Sequence, residues 1–234
     1  MSQFTMEIHS EGMSQFTMDF VPPTEAELAE LAPDILDVPS QGTSGLDADP
    51  IIYLGLDIAV KRDTCALVGV IPLNGYSNFA VHGHCVWKPP VNLSQDVAPV
   101  VDTLLRSNRV AALYYDPYQA ATLVQQFAAD GYGPKLVEVN QGAPMIGAAN
   151  TLHALLTENR LSIYDDPELE AYFSWAVAKN TERGWRIVKK NQSKPIDFVI
   201  SLAMALQGAT LEAGYEAHPS WDSTTHVRSA FALP

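Results

Sequence analysis

The chain has 234 residues, 47% of them hydrophobic and 18% charged, with a formal net charge of −13. That leaves room for one packed α/β domain plus a terminal arm, and no apolar run is long enough to span a bilayer, so no membrane partner is expected. The N-terminus lacks the basic-then-apolar order of a signal peptide, and the two cysteines, Cys65 and Cys85, stand outside any C-x-x-C spacing, which excludes a disulfide framework and points to a reducing cytoplasm.

The charge is unevenly spread. Residues 1–50 hold ten acids and no Lys or Arg, which leaves 17 acids against all 14 bases in residues 51–234, a net of −3. The acidity therefore belongs to the first fifty residues, and the body is nearly balanced. The hexapeptide Met1-Ser-Gln-Phe-Thr-Met6 recurs as Met13-Ser-Gln-Phe-Thr-Met18, too short a repeat for a repeat architecture. Thr24 and Glu27 form a capping box for a short helix near residues 25–32, ended by Pro33. Pro22, Pro23, Pro39 and Pro50 mark the rest of residues 1–50 as a linker or mostly disordered arm.

From residue 51 the pattern changes. Residues 51–59 read as a strand, residues 61–63 as a turn, residues 64–71 as a second strand, Leu73-Asn-Gly-Tyr76 as a hairpin turn and residues 79–87 as a third strand. Residues 94–106 read as a helix with Val97, Val100, Val101, Leu104 and Leu105 on one face. A buried strand over residues 110–115 leads into a helix whose first position is Pro117 and which Gly131 ends. A short strand over residues 135–139 follows, then helices over residues 145–158 and 167–178. Residues 184–190 form a basic, hairpin-like segment and residues 196–211 a final apolar helix, leaving a tail over residues 215–234. Three hairpin-linked strands followed by alternating helix and strand imply a mixed sheet, with the first and fourth strands parallel across a helical crossover. One domain over residues 51–214 accounts for all of these elements.

Three aspartates sit against apolar runs. Asp57 follows Ile51-Ile-Tyr-Leu-Gly-Leu, Asp116 follows Val110-Ala-Ala-Leu-Tyr-Tyr, and Asp197 precedes Phe198-Val-Ile. A carboxylate beside a segment bound for burial costs free energy unless something compensates it. Asp57 and Asp116 fall at the C-terminal ends of neighbouring strands, the edge where open α/β sheets bind ligands. Asp197 lies in the first turn of the last helix, where a capping role is the alternative. Oxygen-only ligands select hard divalent cations over softer metals. Two ions about 4 Å apart can activate water and stabilise the leaving oxygen in phosphodiester hydrolysis. The expected roles are Asp57 as bridging ligand, with Asp116 and Asp197 each holding one ion.

The segments Gly55-Leu-Asp57-Ile-Ala-Val-Lys-Arg-Asp63-Thr-Cys-Ala, Tyr115-Asp116-Pro117-Tyr-Gln119-Ala-Ala, Val137-Glu-Val-Asn-Gln-Gly142 and Ile196-Asp197-Phe-Val-Ile-Ser-Leu-Ala-Met-Ala resemble the nuclease domain of tailed-phage terminase large subunits. The resemblance runs from about residue 51 to residue 211, and Asp-Pro-Tyr-Gln-Ala is its most specific part; the other segments are shared across the RNase H and retroviral-integrase-like superfamily. It implies an RNase H-like mixed five-stranded sheet flanked by helices, and two Mg²⁺ or Mn²⁺ ions on Asp57, Asp116 and Asp197. It also implies endonucleolytic cutting of concematerised double-stranded viral DNA during packaging in the cytoplasm of a bacterial host. A small terminase subunit and a portal are the implied partners. The chain has no G-x-x-x-x-G-K-[ST] phosphate loop, so the expectation is either a packaging ATPase on a separate polypeptide or a nuclease-only relative or remnant of the family.

Lys179, Arg183, Arg186, Lys189, Lys190 and Lys194 place six bases in sixteen residues, opposed only by Glu182. They are candidate DNA-binding residues that would contact phosphate without reading sequence, with a solvated hairpin as the alternative. Trp185 and Tyr172 read as packing residues more readily than as base-stacking ones. Lys61-Arg62-Asp63 reads as a turn, with an extra metal ligand at Asp63 or phosphate contacts at Lys61 and Arg62 as alternatives. Alternation puts His82 and His84 on one strand face and Cys85 on the other, against a zinc site. Competing functions on the same or related folds are a junction resolvase or transposase-like nuclease, and a packaging adaptor without activity. An actin-like ATPase would need a glycine-rich phosphate turn that Asp57-Ile-Ala lacks.

Overall fold

Strand β1 (Ile52–Asp57) is flanked on one side by β2 (Cys65–Leu73), which pairs in turn with β3 (Asn78–Trp87), both antiparallel. The β2–β3 turn needs left-handed backbone at Asn74, Gly75 and Tyr76, with φ of 50°, 62° and 66°, which suits the Asn-Gly pair at its start. On the other side β4 (Val110–Tyr115) runs parallel to β1, and β5 (Leu136–Glu138) parallel to β4. The sheet carries one strand more than the expected five. A two-residue β6 (Leu161–Ser162) adds in parallel to the outer edge of β3, giving the order β5-β4-β1-β2-β3-β6. Two residues are too few to show a period of two, so this strand left no trace in the pattern. This computed structural model describes residues 50–59, 64–140, 142–182 and 184–214. The acidic arm with the helix expected near residues 25–32, the turn expected over residues 61–63 and the tail from residue 215 lie outside the described residues.

Helices cover both faces. Helix α1 (Ala98–Arg106), entered through one wider turn over Leu93–Val97, and α2 (Pro117–Phe127) pack on one side. Their core includes Leu54, Leu67, Val101, Leu104, Leu123 and Phe127. Gly131, at φ 96°, turns the chain after α2. Helices α3 (Ala143–Thr157), α4 (Pro167–Trp175) and α5 (Asp197–Glu212) share the other face with Tyr53, Val68, Phe79, Leu155, Leu169 and Phe198. Twelve of the sixteen residues of α5 are buried, because it lies on β1 and β2 and is covered by α3. An all-round apolar helix is what such a central position requires. Among the described residues no helix is long and apolar enough to cross a membrane.

The helix expected over residues 167–178 stops at Trp175. Ala176 starts β7 (Ala176–Thr181), which pairs antiparallel with β8 (Gly184–Lys189) in a hairpin separate from the main sheet. Ala176, Val177 and Ala178 are compatible with helix, but they find partners in Lys189, Val188 and Ile187, and tertiary pairing overrides the weak local preference.

Candidate active site

The parallel register of β1 and β4 sets Leu56 against Tyr115, so Asp57 and Asp116 follow side by side at the same sheet edge. Asp57 is the last residue of β1, half-buried, and its backbone N–H donates to Ser201 Oγ at 3.0 Å. Asp116 is the N-cap of α2. Its Oδ1 accepts the Tyr118 N–H at 3.0 Å, and Pro117 occupies the first helical position, where no N–H is needed.

Asp197 is the first residue of α5 and is 5% exposed. Its Oδ2 accepts the hydroxyl of Thr64 at 2.6 Å, a bond across the fold from the residue that leads into β2. Cys65 follows, fully buried. Burial first, and then the charges of Asp57 and Asp197, push its thiol well above the ordinary cysteine range. Both carboxylates thus act on one thiol and favour its protonated form. Cys85 is likewise pushed up to about 12 by burial.

Asp57 and Asp116 stand side by side at one sheet edge and Asp197 meets the start of β2 through Thr64, yet the three are not closed into a ligand cage. Among the described residues no three His, Cys, Asp or Glu side chains are arranged to hold a metal ion. The donor chemistry fits a hard divalent cation, since all three candidates offer carboxylate oxygen and Asp197 is held almost out of water. The geometry keeps Asp116 engaged with its helix and Asp197 with Thr64.

Register sorts the basic cluster. Lys179 stands directly opposite Arg186, and Val177 opposite Val188, on one face of the β7–β8 hairpin. Lys190 continues that face by alternation. The opposite face carries Lys189 at the hairpin base together with Ile187 and Trp185; Trp185 is 6% exposed and meets the His153 ring of α3 at 5.5 Å. Lys194 lies over the Trp175 ring at 4.7 Å. Arg183 lies outside the described residues, as do Lys61, Arg62 and Asp63. Tyr172 is 2% exposed and stacks on Phe198, so neither it nor Trp185 is available to bases. Three residues that shape the edge escaped sequence reasoning: Thr64, Ser201 and the exposed Tyr118. Nothing in a Thr before a strand or a Ser in an apolar helix marks its partner.

His84 belongs to a separate cluster. Its Nδ1 is hydrogen-bonded to the Tyr164 hydroxyl, and its ring meets Phe198 edge-on at 5.3 Å. Burial lowers its pKa to about 4.

The mixed sheet, with its central antiparallel triplet, parallel flank and an acid at each of two neighbouring strand ends, is the RNase H-like α/β fold. The HK97 bacteriophage large terminase superposes with a TM-score of 0.58 at 19% identity, over 80% of this chain and 43% of that one. The large terminase nuclease of thermophilic phage G20c with bound magnesium gives 0.54 at 15% identity, over 68% and 81%. The Thermus phage P74-26 large terminase nuclease domain gives 0.53 at 16%, over 67% and 78%. This chain therefore spans less than half the length of the HK97 protein. No curated protein matches it. The family model for the terminase large subunit, endonuclease domain, matches residues 91–212, or 122 of the 234 residues. The chain belongs to that family.

Proposed function

We propose that the domain is a divalent-metal-dependent DNA endonuclease that cuts concatemeric viral DNA during genome packaging. In packaging it would work with an ATPase motor, a small terminase subunit and a portal. The observation that supports this reading is the adjacent placement of Asp57 and Asp116 at two neighbouring strand ends, with the almost buried Asp197 hydrogen-bonded to Thr64 at the start of β2. Membership of the terminase endonuclease family supports it, as does the magnesium bound to the G20c nuclease, whose fold this chain shares.

Asp57, Asp116 and Asp197 would hold two Mg²⁺ or Mn²⁺ ions. When bound, such ions supply an activated water and charge stabilisation of the leaving 3′-oxygen. The chain's own residues orient the ligands. Ser201 fixes the backbone at Asp57, Thr64 holds one oxygen of Asp197, and the α2 cap aims Asp116. Lys179, Arg186 and Lys190, on one face of the hairpin, would follow the phosphate backbone and set register without reading sequence.

Plasmid cleavage in Mn²⁺ tests the reading. Asp57→Asn, Asp116→Asn and Asp197→Asn should each nearly abolish cutting while binding of duplex DNA persists. Undiminished cutting by Asp57→Asn would leave the inactive adaptor or an unrelated nuclease site as the explanation. Strong preference for a four-way junction over linear duplex would favour a resolvase.

A further inference from the structure

We infer that Tyr118 is a DNA-contacting residue of the cutting edge, its ring receiving the face of a nucleotide next to the scissile phosphate. The inference rests on the nuclease reading above. Tyr118 is 84% exposed, the most exposed large hydrophobic side chain among the described residues. The other seven described tyrosines are at least partly covered, and most have their hydroxyls engaged: Tyr53 with Tyr76, Tyr115 with Glu138, Tyr132 with Asp102. Among the described residues the Tyr118 side chain has no hydrogen-bond or ring partner.

No structural role accounts for it. The buried side of α2 is made by Ala120, Leu123, Val124 and Phe127, and Tyr118 is not on it. At the second helical position a small polar or acidic residue would serve the helix better. Its backbone is nonetheless tightly placed, with Pro117 before it and its N–H bonded to Asp116. Side chains on a helix tilt toward the N-terminus, so the ring projects past the start of α2, toward the edge that carries Asp116 and Asp57. A rigid, amphipathic ring held in water two residues from a candidate metal ligand suits a nucleotide face. Every base has one, so the contact would be sequence-tolerant. Reaching it in duplex DNA requires a locally unstacked nucleotide, so the preferred substrate has a weakened base pair at the cut.

The experiment uses the full chain and fluorescein-labelled oligonucleotides in Ca²⁺, with and without one mismatch, followed by cutting in Mn²⁺. Base–aromatic stacking implies that Tyr118→Ala binds about 5- to 150-fold more weakly. KM should rise accordingly while kcat holds, and the preference for the mismatched duplex should vanish. Tyr118→Phe and Tyr118→Trp should retain binding, because the face rather than the hydroxyl is used. Wild-type binding by Tyr118→Ala, equal losses in Tyr118→Phe and Tyr118→Ala, or a lowered melting temperature of Tyr118→Ala would each overturn the inference. The two readings fail separately. Normal cutting by Asp57→Asn removes the nuclease assignment, while the Ca²⁺ binding series still decides whether Tyr118 touches DNA.

Discussion

The Ser201 hydroxyl accepts the backbone N–H of Asp57 at 3.0 Å and donates to the Ala66 carbonyl at 2.8 Å. Asp57 and Ala66 are directly opposed in the β1–β2 ladder, so one fully buried side chain from α5 satisfies a backbone group on each of two strands. Asp197 lies four residues earlier on the same helix, one turn away on the same face. Its Oδ2 meets Thr64, which leads into β2. The helix that delivers the third acid is thereby bonded to the strands that deliver the first.

Removing either bond should be costly in a way surface mutations are not. Ser201→Ala leaves the Asp57 N–H without its acceptor, a loss of about 1–3 kcal/mol for a buried group. Thr64→Val keeps the shape but takes a donor from a buried carboxylate, also about 1–3 kcal/mol. Urea unfolding measures both. Under the nuclease reading, Mn²⁺-dependent cutting by the folded variants should fall as well. Unchanged stability in Ser201→Ala would show that the bond contributes nothing.

The close approach of α5 gives a second, contrasting pair. A Cβ on Gly55 would sit within the van der Waals shell of the Ser201 carbonyl oxygen, 2.8 Å from its carbon and 3.0 Å from the Ala205 nitrogen. Those are main-chain atoms of a central helix, so Gly55→Ala should fail to yield folded protein, and no single side-chain truncation should restore it. A Cβ on Gly208 meets the Tyr114 ring instead, 2.6 Å from Cδ2. Gly208→Ala should cost about 1–3 kcal/mol as an overpacking change. Combined with Tyr114→Ala it should lose less than the sum of the two single changes, a coupling that a double-mutant cycle reads directly.

Acid should weaken the fold through His84. Its folded pKa of about 4 lies below the ordinary value of 6.5, chiefly because burial disfavours the imidazolium, while the Asp166 carboxylate pulls the other way. Between those two values the unfolded chain takes up a proton that the folded one refuses, so stability falls as pH drops from about 6.5 to 4. Below about 4 this contribution no longer changes. Burial lowers His153 in the same direction. His84→Gln should flatten the stability–pH profile in that window, measured by urea unfolding at successive pH values. An unaltered slope would rule His84 out as its source.

Much of this fold is legible because its signals are local. Apolar runs over β1 and β4 and the Pro117 start of α2 are written in neighbouring residues, and the helical crossover between them fixes their parallel order. The side-by-side placement of Asp57 and Asp116 follows from that order alone. What the sequence hides is settled across the fold. β7 forms from Ala176–Thr181 only because β8 is there to receive it. The Thr64–Asp197 bond joins residues 133 apart. Exposure of Tyr118 could not be read because whether a ring in a first helical turn is covered depends on the elements packed around it. The acids' arrangement short of a cage was equally hidden, since Asp197 is engaged by Thr64, a partner that spacing does not reveal.

The hairpin allows stability and DNA binding to be moved in opposite directions. Lys179 and Arg186 are directly opposed across β7 and β8, and like charges in that relation destabilise a strand pair. Lys179→Glu converts the repulsion into a cross-strand ion pair and should leave the melting temperature unchanged or raise it, by at most about 1 kcal/mol of added stability. If this face follows phosphates, the same change should weaken duplex binding in Ca²⁺ at every sequence tested. It should also reduce the slope of log K against log salt by about one for the lost phosphate contact. Lys189, on the opposite face, supplies the comparison: Lys189→Gln should change that slope less. A Lys179→Glu variant that binds DNA with undiminished affinity and salt dependence would remove the hairpin face from the DNA path. Loss of binding together with a lowered melting temperature would trace the effect to folding instead.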